Sequence, residues 1–307
     1  MLILIADYLA LFIGKSLVWP LAALPEGLSA KVARVYVSII FLLRPRFKTV
    51  ALKNLDIVFP EKPLAEREEI FIKSKEVLAE NIMGFARIAS LSPEKAAEIC
   101  DYSKVKVQLE ELRKRFSDKG ALITTIHFDS FEYFIQVHAL NYGPVSILAR
   151  GSNLPRFDSW WRGCRERFGN KIFDRAGGFK EISKRLKNKE DVVILCDQNV
   201  KRNHAVFVDF FGVPAATSKT IALTALRTGS PIMFGAPVST GPGTFDVTLK
   251  EIPHPSEEEG STDEKIAKCT AHMHKAFEEQ ILKRPEAWFW LHRRWKTRPE
   301  GDPETFY

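Results

Sequence analysis

The chain has 307 residues, of which 45% are hydrophobic and 27% are charged, a composition typical of a globular protein that buries a sizeable core. Its formal net charge is +7. The four cysteines are far apart and include no Cys-x-x-Cys pair, which excludes a disulfide framework and a cysteine zinc motif. His272 and His274 would diverge on a helix, so we interpret them as surface residues and expect no metal site.

The first 24 residues are strongly apolar, with Asp7 and Lys15 as their charged residues. About 20 apolar residues suffice to span a bilayer, whereas a charge at its centre costs about 3 kcal/mol. The segment is therefore either a transmembrane helix or an interfacial amphipathic helix with Trp19 as an anchor. We prefer membrane attachment of either kind to a core helix of a soluble protein. No basic region precedes the segment, which argues against a secretory signal.

Residues 25–120 are predicted to be helical. Apolar periodicity indicates helices at 28–43, 47–59, 65–88 and 105–117, and Ser92-Pro93-Glu94 is typical of a helix start. A basic cluster between the first helices would face anionic headgroups on the cytoplasmic side of a membrane. Its members are Arg44, Arg46, Lys48 and Lys53.

From residue 121 onward, short apolar runs alternate with helical segments. Predicted strands are 121–126, 145–148, 171–173, 192–196, 205–208, 231–237 and 244–251, and predicted helices are 130–140, 154–168, 178–187, 218–227 and 261–283. The alternation predicts an α/β fold with a central mixed β-sheet flanked by helices. We divide the chain into an anchoring helix (1–24), a helical N-terminal region (25–120) and an α/β core with a basic aromatic C-terminal tail (121–307).

The first candidate site follows the strand at 121–126. His127 comes directly after it, and Glu132 lies five residues later, at the start of the next helix. Acids also favour helix starts for electrostatic reasons, so the pair alone favours a structural role. Arg150 and Asp197 also follow predicted strands, however, and ligands of open α/β sheets bind at the carboxyl ends of strands. This convergence predicts a site, although a turn alone would explain the polar sequence Asp197-Gln198-Asn199.

Two aromatic segments leave alternatives open. The pair Phe210-Phe211 before Gly212 suits a lipid-facing lip or a hydrophobic slot, with burial as the default. The tail at 288–296 holds three of the six tryptophans beside basic residues, which suits a membrane interface, stacking on single-stranded nucleic acid, or cation–π packing inside the fold. Residues 146–202 carry fourteen Lys and Arg against seven Asp and Glu, which indicates either a cationic surface for an acidic partner or a solvated face.

Several motifs, in this order, resemble the lipid A biosynthesis acyltransferases, the lauroyl and myristoyl transferases of the lysophospholipid acyltransferase superfamily. They are His127-x4-Glu132, Leu148-Ala149-Arg150, the run from Arg165 to Asn170, Gly177-Gly178, Asp197-Gln198-Asn199, the run from Phe210 to Pro214, and the run from Trp288 to Lys296. Lys53-Asn54-Leu55 and Phe59-Pro60-Glu61 also resemble the family's N-terminal region. Relatives often carry Gly-Asn where this chain has Asp129-Ser130, so Asp129 could compete for the imidazole.

The resemblance implies an inner-membrane enzyme that faces the cytoplasm and moves a fatty acyl chain from acyl carrier protein to a hydroxyl of a lipid A precursor. It implies His127 as the general base with Glu132 as its partner, and Arg150 or Arg165 on the oxyanion or an acceptor phosphate. Asp197 and Gln198 would position the acceptor. The partners would be the carrier protein, the glycolipid and the membrane, with no nucleic acid, cofactor or metal.

Three rival functions remain. Two are acyl transfer to a glycerolipid or to a phosphoinositide mannoside. The glycerolipid branch is disfavoured because Phe59-Pro60-Glu61 lies before His127 and continues Lys-Pro. The third is a non-catalytic protein that binds anionic lipid or nucleic acid.

Overall fold

The computed structural model describes residues 2–98, 100–115, 119–174, 178–241, 243–303 and 305–307. Ser117, the predicted end of one helix, and Gly177 of the Gly-Gly motif lie outside the described residues. In the described part of residues 2–115, six helices precede the sheet, as the apolar periodicity predicts. They are α1 (Leu2–Ala23), α2 (Glu26–Leu43), α3 (Arg46–Val58), α4 (Leu64–Ser90), α5 (Pro93–Glu98) and α6 (Ser103–Arg115).

The sheet of the second part has six strands in the order β3-β2-β4-β1-β7-β8. The strands are β1 (Leu122–Thr125), β2 (Ser146–Leu148), β3 (Lys171–Phe173), β4 (Val192–Leu195), β7 (Ile232–Gly241) and β8 (Thr244–Ile252). Neighbouring strands are parallel except β7 and β8, which form an antiparallel pair. The helices are α7 (Phe131–Asn141), α8 (Pro155–Glu166), α9 (Gly178–Lys187), α10 (Thr220–Thr228) and α11 (Thr262–Lys283). The predicted mixed α/β fold is confirmed.

A separate hairpin of β5 (Ala205–Phe210) and β6 (Val213–Ser218) lies beside α11. The predicted strand at 205–208 matches part of β5, and no strand was predicted at the position of β6. Strand β6 contains Pro214, a residue that is excluded from central strands. Proline is tolerated because this sheet has two strands, each with a free edge. The turn uses positive φ angles at Phe211 (54°) and Gly212 (76°), and Phe210 is fully buried. The prediction that Phe210 is buried is therefore correct, and its ring does not form a lipid-facing lip.

The two faces of the main sheet differ. Side chains such as Leu122, Ile194 and Phe234 pack with α11 in the largest hydrophobic core. Alternate residues on the same strands, such as Ile123 and Leu195, point to the opposite face and line a cavity beneath α6 and α7.

Helix α1 packs on the rest of the molecule along one narrow stripe. Asp7 is 1% exposed and accepts hydrogen bonds from the backbone N–H groups of Arg156 and Phe157 in the first turn of α8. Gly14 faces Trp160 so closely that a Cβ would come within 2.6 Å of that ring. Leu21 is fully buried. The remaining surface of α1 is apolar and exposed, and Ile3–Ala23 is long and apolar enough to cross a membrane.

Candidate active site

His127 and Asp197 meet at the carboxyl ends of two adjacent parallel strands. In the register of β1 and β4, Thr125 lies opposite Leu195, so the residues two positions beyond each strand fall side by side. His127 Nδ1 lies 2.7 Å from Asp197 Oδ1, and the His127 backbone N–H donates to Asp197 Oδ2 at 2.9 Å. The carboxylate therefore fixes both the ring and the backbone of His127.

The Asp197 carboxylate is buried and ionised. Its side chain is 2% exposed, and the indole Nε1 of Trp288 donates to Oδ2 at 2.9 Å. Burial alone would raise the pKa of Asp197, but the charge and hydrogen bonds of His127, with the Trp288 hydrogen bond, lower it to about 2. The ionised Asp197 accepts a hydrogen bond from Nδ1–H of His127, and in the neutral imidazole this tautomer leaves Nε2 as a hydrogen-bond acceptor.

Nε2 is on the reachable side of the ring. The His127 side chain is 21% exposed, and the Gln198 amide nitrogen lies 3.3 Å from Nε2. Phe131 packs edge-on against the imidazole at 5.1 Å, and the Phe289 ring lies at 6.0 Å. The arrangement can accept a proton from a hydroxyl that approaches Nε2.

Glu132 pairs with an arginine. Both of its carboxylate oxygens accept from the Arg165 guanidinium, Oε2 from Nε at 3.0 Å and Oε1 from Nη2. The guanidinium also lies 5.2 Å from the Trp161 ring centre. Among the described contacts, the carboxylate on the His127 ring is thus Asp197, which the sequence analysis had assigned to the acceptor. Sequence spacing could not reveal this, because the order of strands in the sheet brings residues 127 and 197 together.

No described contact joins Arg150 or Asp129 to the His127 ring. Arg150 is exposed in the loop after β2. Asp129 adopts a positive φ of 52° and is 3% exposed. Its Oδ2 accepts from Arg284 Nη1 at 2.5 Å and from the Ser239 N–H at 3.0 Å. Because its carboxylate binds these partners, Asp129 does not compete with Asp197 for the His127 ring, as its position in the motif had suggested it could.

Part of the positive window at 146–202 is paired in the fold. Arg162 pairs with Asp158 and Asp174, and Arg185 pairs with Glu181 and Glu190, all within the window. Carboxylates from outside the window pair with Arg156 and Arg165.

The tryptophan-rich tail is part of the core. Trp288, Trp290 and Trp295 are at most 3% exposed, and the fully buried Arg294 guanidinium lies 5.1 Å from the Phe210 ring centre. Of the three alternatives for the tail, packing inside the fold is correct for these residues. Burial lowers the pKa of Arg294 to about 10, which still leaves it charged at neutral pH.

His274 corrects a sequence prediction. It is 1% exposed rather than on the surface, and its Nε2 lies 2.9 Å from Thr217 Oγ1. Burial and the nearby Arg294 charge lower its pKa to about 3, so the ring is neutral.

An apolar cavity adjoins the dyad. Its wall includes Thr125 and Leu195, at the ends of β1 and β4, and Phe131, which touches the His127 ring. Ala121 and Asp191 line it at the opposite ends of those strands, about 13 Å away at 3.3 Å per residue. Its apolar lining and its extent along the strands suit a hydrocarbon chain. Within the described ranges, no group of three or more His, Cys, Asp or Glu side chains could hold a metal ion.

A histidine–aspartate dyad at the strand ends of an α/β sheet, beside an elongated apolar cavity, is typical of an enzyme that acts on lipid chains. Residues 2–297 match the model of the bacterial lipid A biosynthesis acyltransferases, and the chain belongs to that family. It is 26% identical over 303 residues to the lipid A biosynthesis lauroyltransferase of Escherichia coli K12, covering 97% of this chain and 95% of that protein.

Two further relatives are similar over most of the chain. The lipid A biosynthesis palmitoleoyltransferase of Escherichia coli K12 is 27% identical over 270 residues, covering 85% of this chain and 82% of the relative. A lipid A biosynthesis acyltransferase of Haemophilus influenzae is 27% identical over 267 residues, covering 85% and 81%.

Proposed function

We propose that this protein transfers a fatty acyl chain from acyl carrier protein to a hydroxyl of a lipid A precursor, with His127 as the general base. The observation that carries the proposal is the His127–Asp197 dyad beside the apolar cavity. Family membership supports lipid A as the acceptor. The carrier protein as donor follows from the resemblance of the motifs and fits a basic chain, because such carriers are acidic.

In this mechanism, His127 Nε2 accepts the proton of the acceptor hydroxyl while the hydroxyl oxygen attacks the thioester carbonyl carbon. Asp197 stabilises the imidazolium that forms. The tetrahedral intermediate then collapses, the carbon–sulfur bond breaks, and the imidazolium returns the proton to the departing thiolate. The Gln198 amide nitrogen lies 3.3 Å from Nε2 of His127, where the acceptor hydroxyl must bind. In this mechanism the acceptor displaces the Gln198 amide, which then forms a hydrogen bond with the acceptor.

Arg165 is our candidate for stabilising the oxyanion. Glu132 holds its guanidinium through two hydrogen bonds, which fixes the direction of the remaining N–H groups. Glu132 then acts on catalysis through Arg165 rather than through His127. Arg150, exposed at the same edge of the sheet, is the alternative cation for the oxyanion or an acceptor phosphate.

The exposed apolar surface of α1 and α2 supports attachment to the cytoplasmic face of the bacterial inner membrane. Phe12 and Trp19 on α1 are 68% and 72% exposed, and Leu42 and Leu43 at the end of α2 are 79% and 71% exposed. Because α1 contacts the core at both ends of its length, we favour an interfacial helix over one that crosses the bilayer alone.

The test is acyl transfer by purified full-length protein, with acyl carrier protein thioesters as donors and a lipid A precursor as acceptor. We expect His127→Ala and Asp197→Asn each to lower kcat by about 10³-fold or more, because an amide at position 197 favours the wrong tautomer of His127. The double variant should be about as active as either single variant, because the two residues act as one unit.

A second double-mutant cycle distinguishes the role of Glu132 from that of the dyad. Glu132→Gln and Arg165→Gln should be non-additive with each other, and additive with Asp197→Asn. His254→Gln, distant from the dyad, is the matched histidine control and should retain activity. Transfer to another lipid but not to the precursor would overturn the acceptor, and appreciable activity in His127→Ala would overturn the base.

A further inference from the structure

A second cavity opens where α3 begins beside the C-terminal segment. It is separate from the apolar cavity under α6 and α7, and its lining includes three basic residues. The polar and charged residues that line it are Arg46, Asn199, His292, Arg293 and Lys296.

Its three cations have no acidic partner among the described residues. Arg46, Arg293 and Lys296 form no ion pair with a carboxylate of the described part of the chain, whereas Arg284 and Arg298 nearby both do. Arg293 lies over the Tyr307 ring at 5.9 Å, a cation–π contact that does not neutralise its charge. A concentrated, unneutralised positive charge is suited to binding an anion.

Two other features of the pocket favour an anion. Helix α3 has 13 residues and begins at Arg46, so its positive end is at the cavity. His292 Nε2 accepts the Asn199 backbone N–H at 2.8 Å, and burial lowers the pKa of His292 to about 4. The neutral ring therefore carries its proton on Nδ1, as a hydrogen-bond donor.

The pocket lies between the dyad and the apolar surface. Asn199 is two residues beyond Asp197 and next to Gln198, which contacts His127. On the other side, Leu42 and Leu43 at the end of α2 are exposed, four and three residues before Arg46. A ligand bound here would have its charge near the headgroup level of a membrane while another part of the same molecule reaches His127.

We propose that this pocket binds a phosphate monoester of the acceptor glycolipid, and so orients the acceptor hydroxyl toward His127. The inference rests on the proposed function. Two arginines and a lysine match the two charges and the three free oxygens of a phosphate monoester, because each guanidinium can form paired hydrogen bonds. The headgroup of a bulk phospholipid carries the same chemistry, and the test distinguishes the two sources.

The test compares the full-length protein with the Arg46→Gln/Lys296→Gln variant, using a phosphorylated lipid A precursor and the same glycolipid after its phosphates are removed. For the phosphorylated acceptor we expect KM to rise by about tenfold or more with kcat little changed, because charge-assisted hydrogen bonds are lost. With the dephosphorylated acceptor, wild type and variant should have the same KM. Lys275→Gln, which removes an exposed cation on α11, is the control and should leave KM unchanged.

An unchanged KM for the phosphorylated acceptor would overturn the proposal. So would a loss of binding to vesicles of anionic phospholipid with KM unchanged, because the pocket would then hold bulk lipid. A loss of kcat with both acceptors would indicate a structural role instead. If the wild type acylates neither acceptor, the proposed function fails, and the phosphate site is tested by equilibrium binding of the phosphorylated glycolipid, which the double variant must weaken by about tenfold.

Discussion

At the level of single residues, Asp129 has a backbone conformation that favours glycine. A non-glycine residue at φ 52° costs about 1–2 kcal/mol relative to glycine. Asp129 compensates through the hydrogen bonds of its carboxylate to Arg284, Ser239 and the Ser130 N–H. It joins the start of α7 to the end of β7 and to the C-terminal segment.

We therefore expect Asp129→Ala to lower the free energy of unfolding by about 3 kcal/mol, because it removes the carboxylate's hydrogen bonds to Arg284 and Ser239 and keeps the backbone strain. Asp129→Gly loses the same contacts but relieves the strain, so it should be about 1 kcal/mol more stable than the alanine variant. Denaturant unfolding of the two variants measures the difference. Equal stabilities would show that the positive φ is not a source of strain.

The dyad shows which part of the site was accessible from sequence. His127, Asp197 and Gln198 could be selected because each follows an apolar strand, and strand ends are where such sheets bind ligands. Their pairing could not be predicted, because it depends on β4 lying next to β1, between β1 and β2. Trp288 was identified as part of an aromatic tail, but its hydrogen bond to Asp197 could not be predicted, because the two residues are 91 positions apart in the chain.

At the level of elements, α1 combines a protein-facing stripe with an apolar surface. Asp7, Gly14 and Leu21 are spaced by seven, which places them on one side of the helix. All three contact or are buried by the core. The charge of Asp7, which argued against a clean membrane span, is explained by its cap on the first turn of α8.

Replacing Phe12 and Trp19 together by Gln should weaken binding to phospholipid vesicles by about 100-fold, because each ring contributes about 1.5 kcal/mol or more when buried in lipid. The melting temperature should be nearly unchanged, since neither side chain packs on the core. Vesicle flotation measures the binding. Asp7→Ala is the matched control on the opposite side of α1, and it should lower the melting temperature instead. Undiminished flotation of the Phe12/Trp19 variant would contradict attachment through α1.

The hairpin of β5 and β6 marks the limit of element prediction. Most strands and helices could be located from periodicity to within a few residues, because alternating burial leaves a clear pattern. Strand β6 was missed because Pro214 argues against a central strand, and the sequence does not reveal that the hairpin stands apart from the main sheet.

Gly235 on β7 tests whether the cavity sets the length of the acyl chain. It lines the cavity, and a Cβ there would meet Ile123 and Leu249 at 3.6 Å, an ordinary van der Waals contact. Gly235→Leu should therefore be accommodated by the backbone and fill part of the cavity. We expect the preferred donor to become shorter by a few carbons, with kcat/KM for long chains lowered by about tenfold or more, because overpacking costs 1–3 kcal/mol.

The measurement is a competition among acyl carrier protein thioesters of increasing length, with the product identified by mass spectrometry. Gly163→Leu is the control, because that glycine is exposed on α8 with open space around its Cβ position. An unchanged chain preference in Gly235→Leu would place the acyl chain elsewhere.

At the level of the whole molecule, three neutral histidines are distributed through the packing. His138 lies in the cavity wall, His274 beneath the tail, and His292 beside the dyad. Burial, with nearby positive charge, lowers their pKa values to about 4, 3 and 4 from the usual 6.5. The unfolded chain therefore binds these protons first as the pH falls.

Stability should accordingly be complete above pH 6.5 and decline as the pH falls toward 4, with each histidine adding up to about 1.4 kcal/mol per pH unit. Asp197 affects stability at lower pH than the histidines, because its contribution is lost only as the pH falls from 3.8 toward 2. Replacing His138 by Gln removes one titrating ring and keeps an acceptor for Tyr102, whose hydroxyl lies 2.5 Å from Nδ1. The dependence of unfolding free energy on pH near 5 should then become shallower by about 1.4 kcal/mol per unit. An unchanged slope would mean that His138 is hydrated in solution, and that the cavity it lines is open to water.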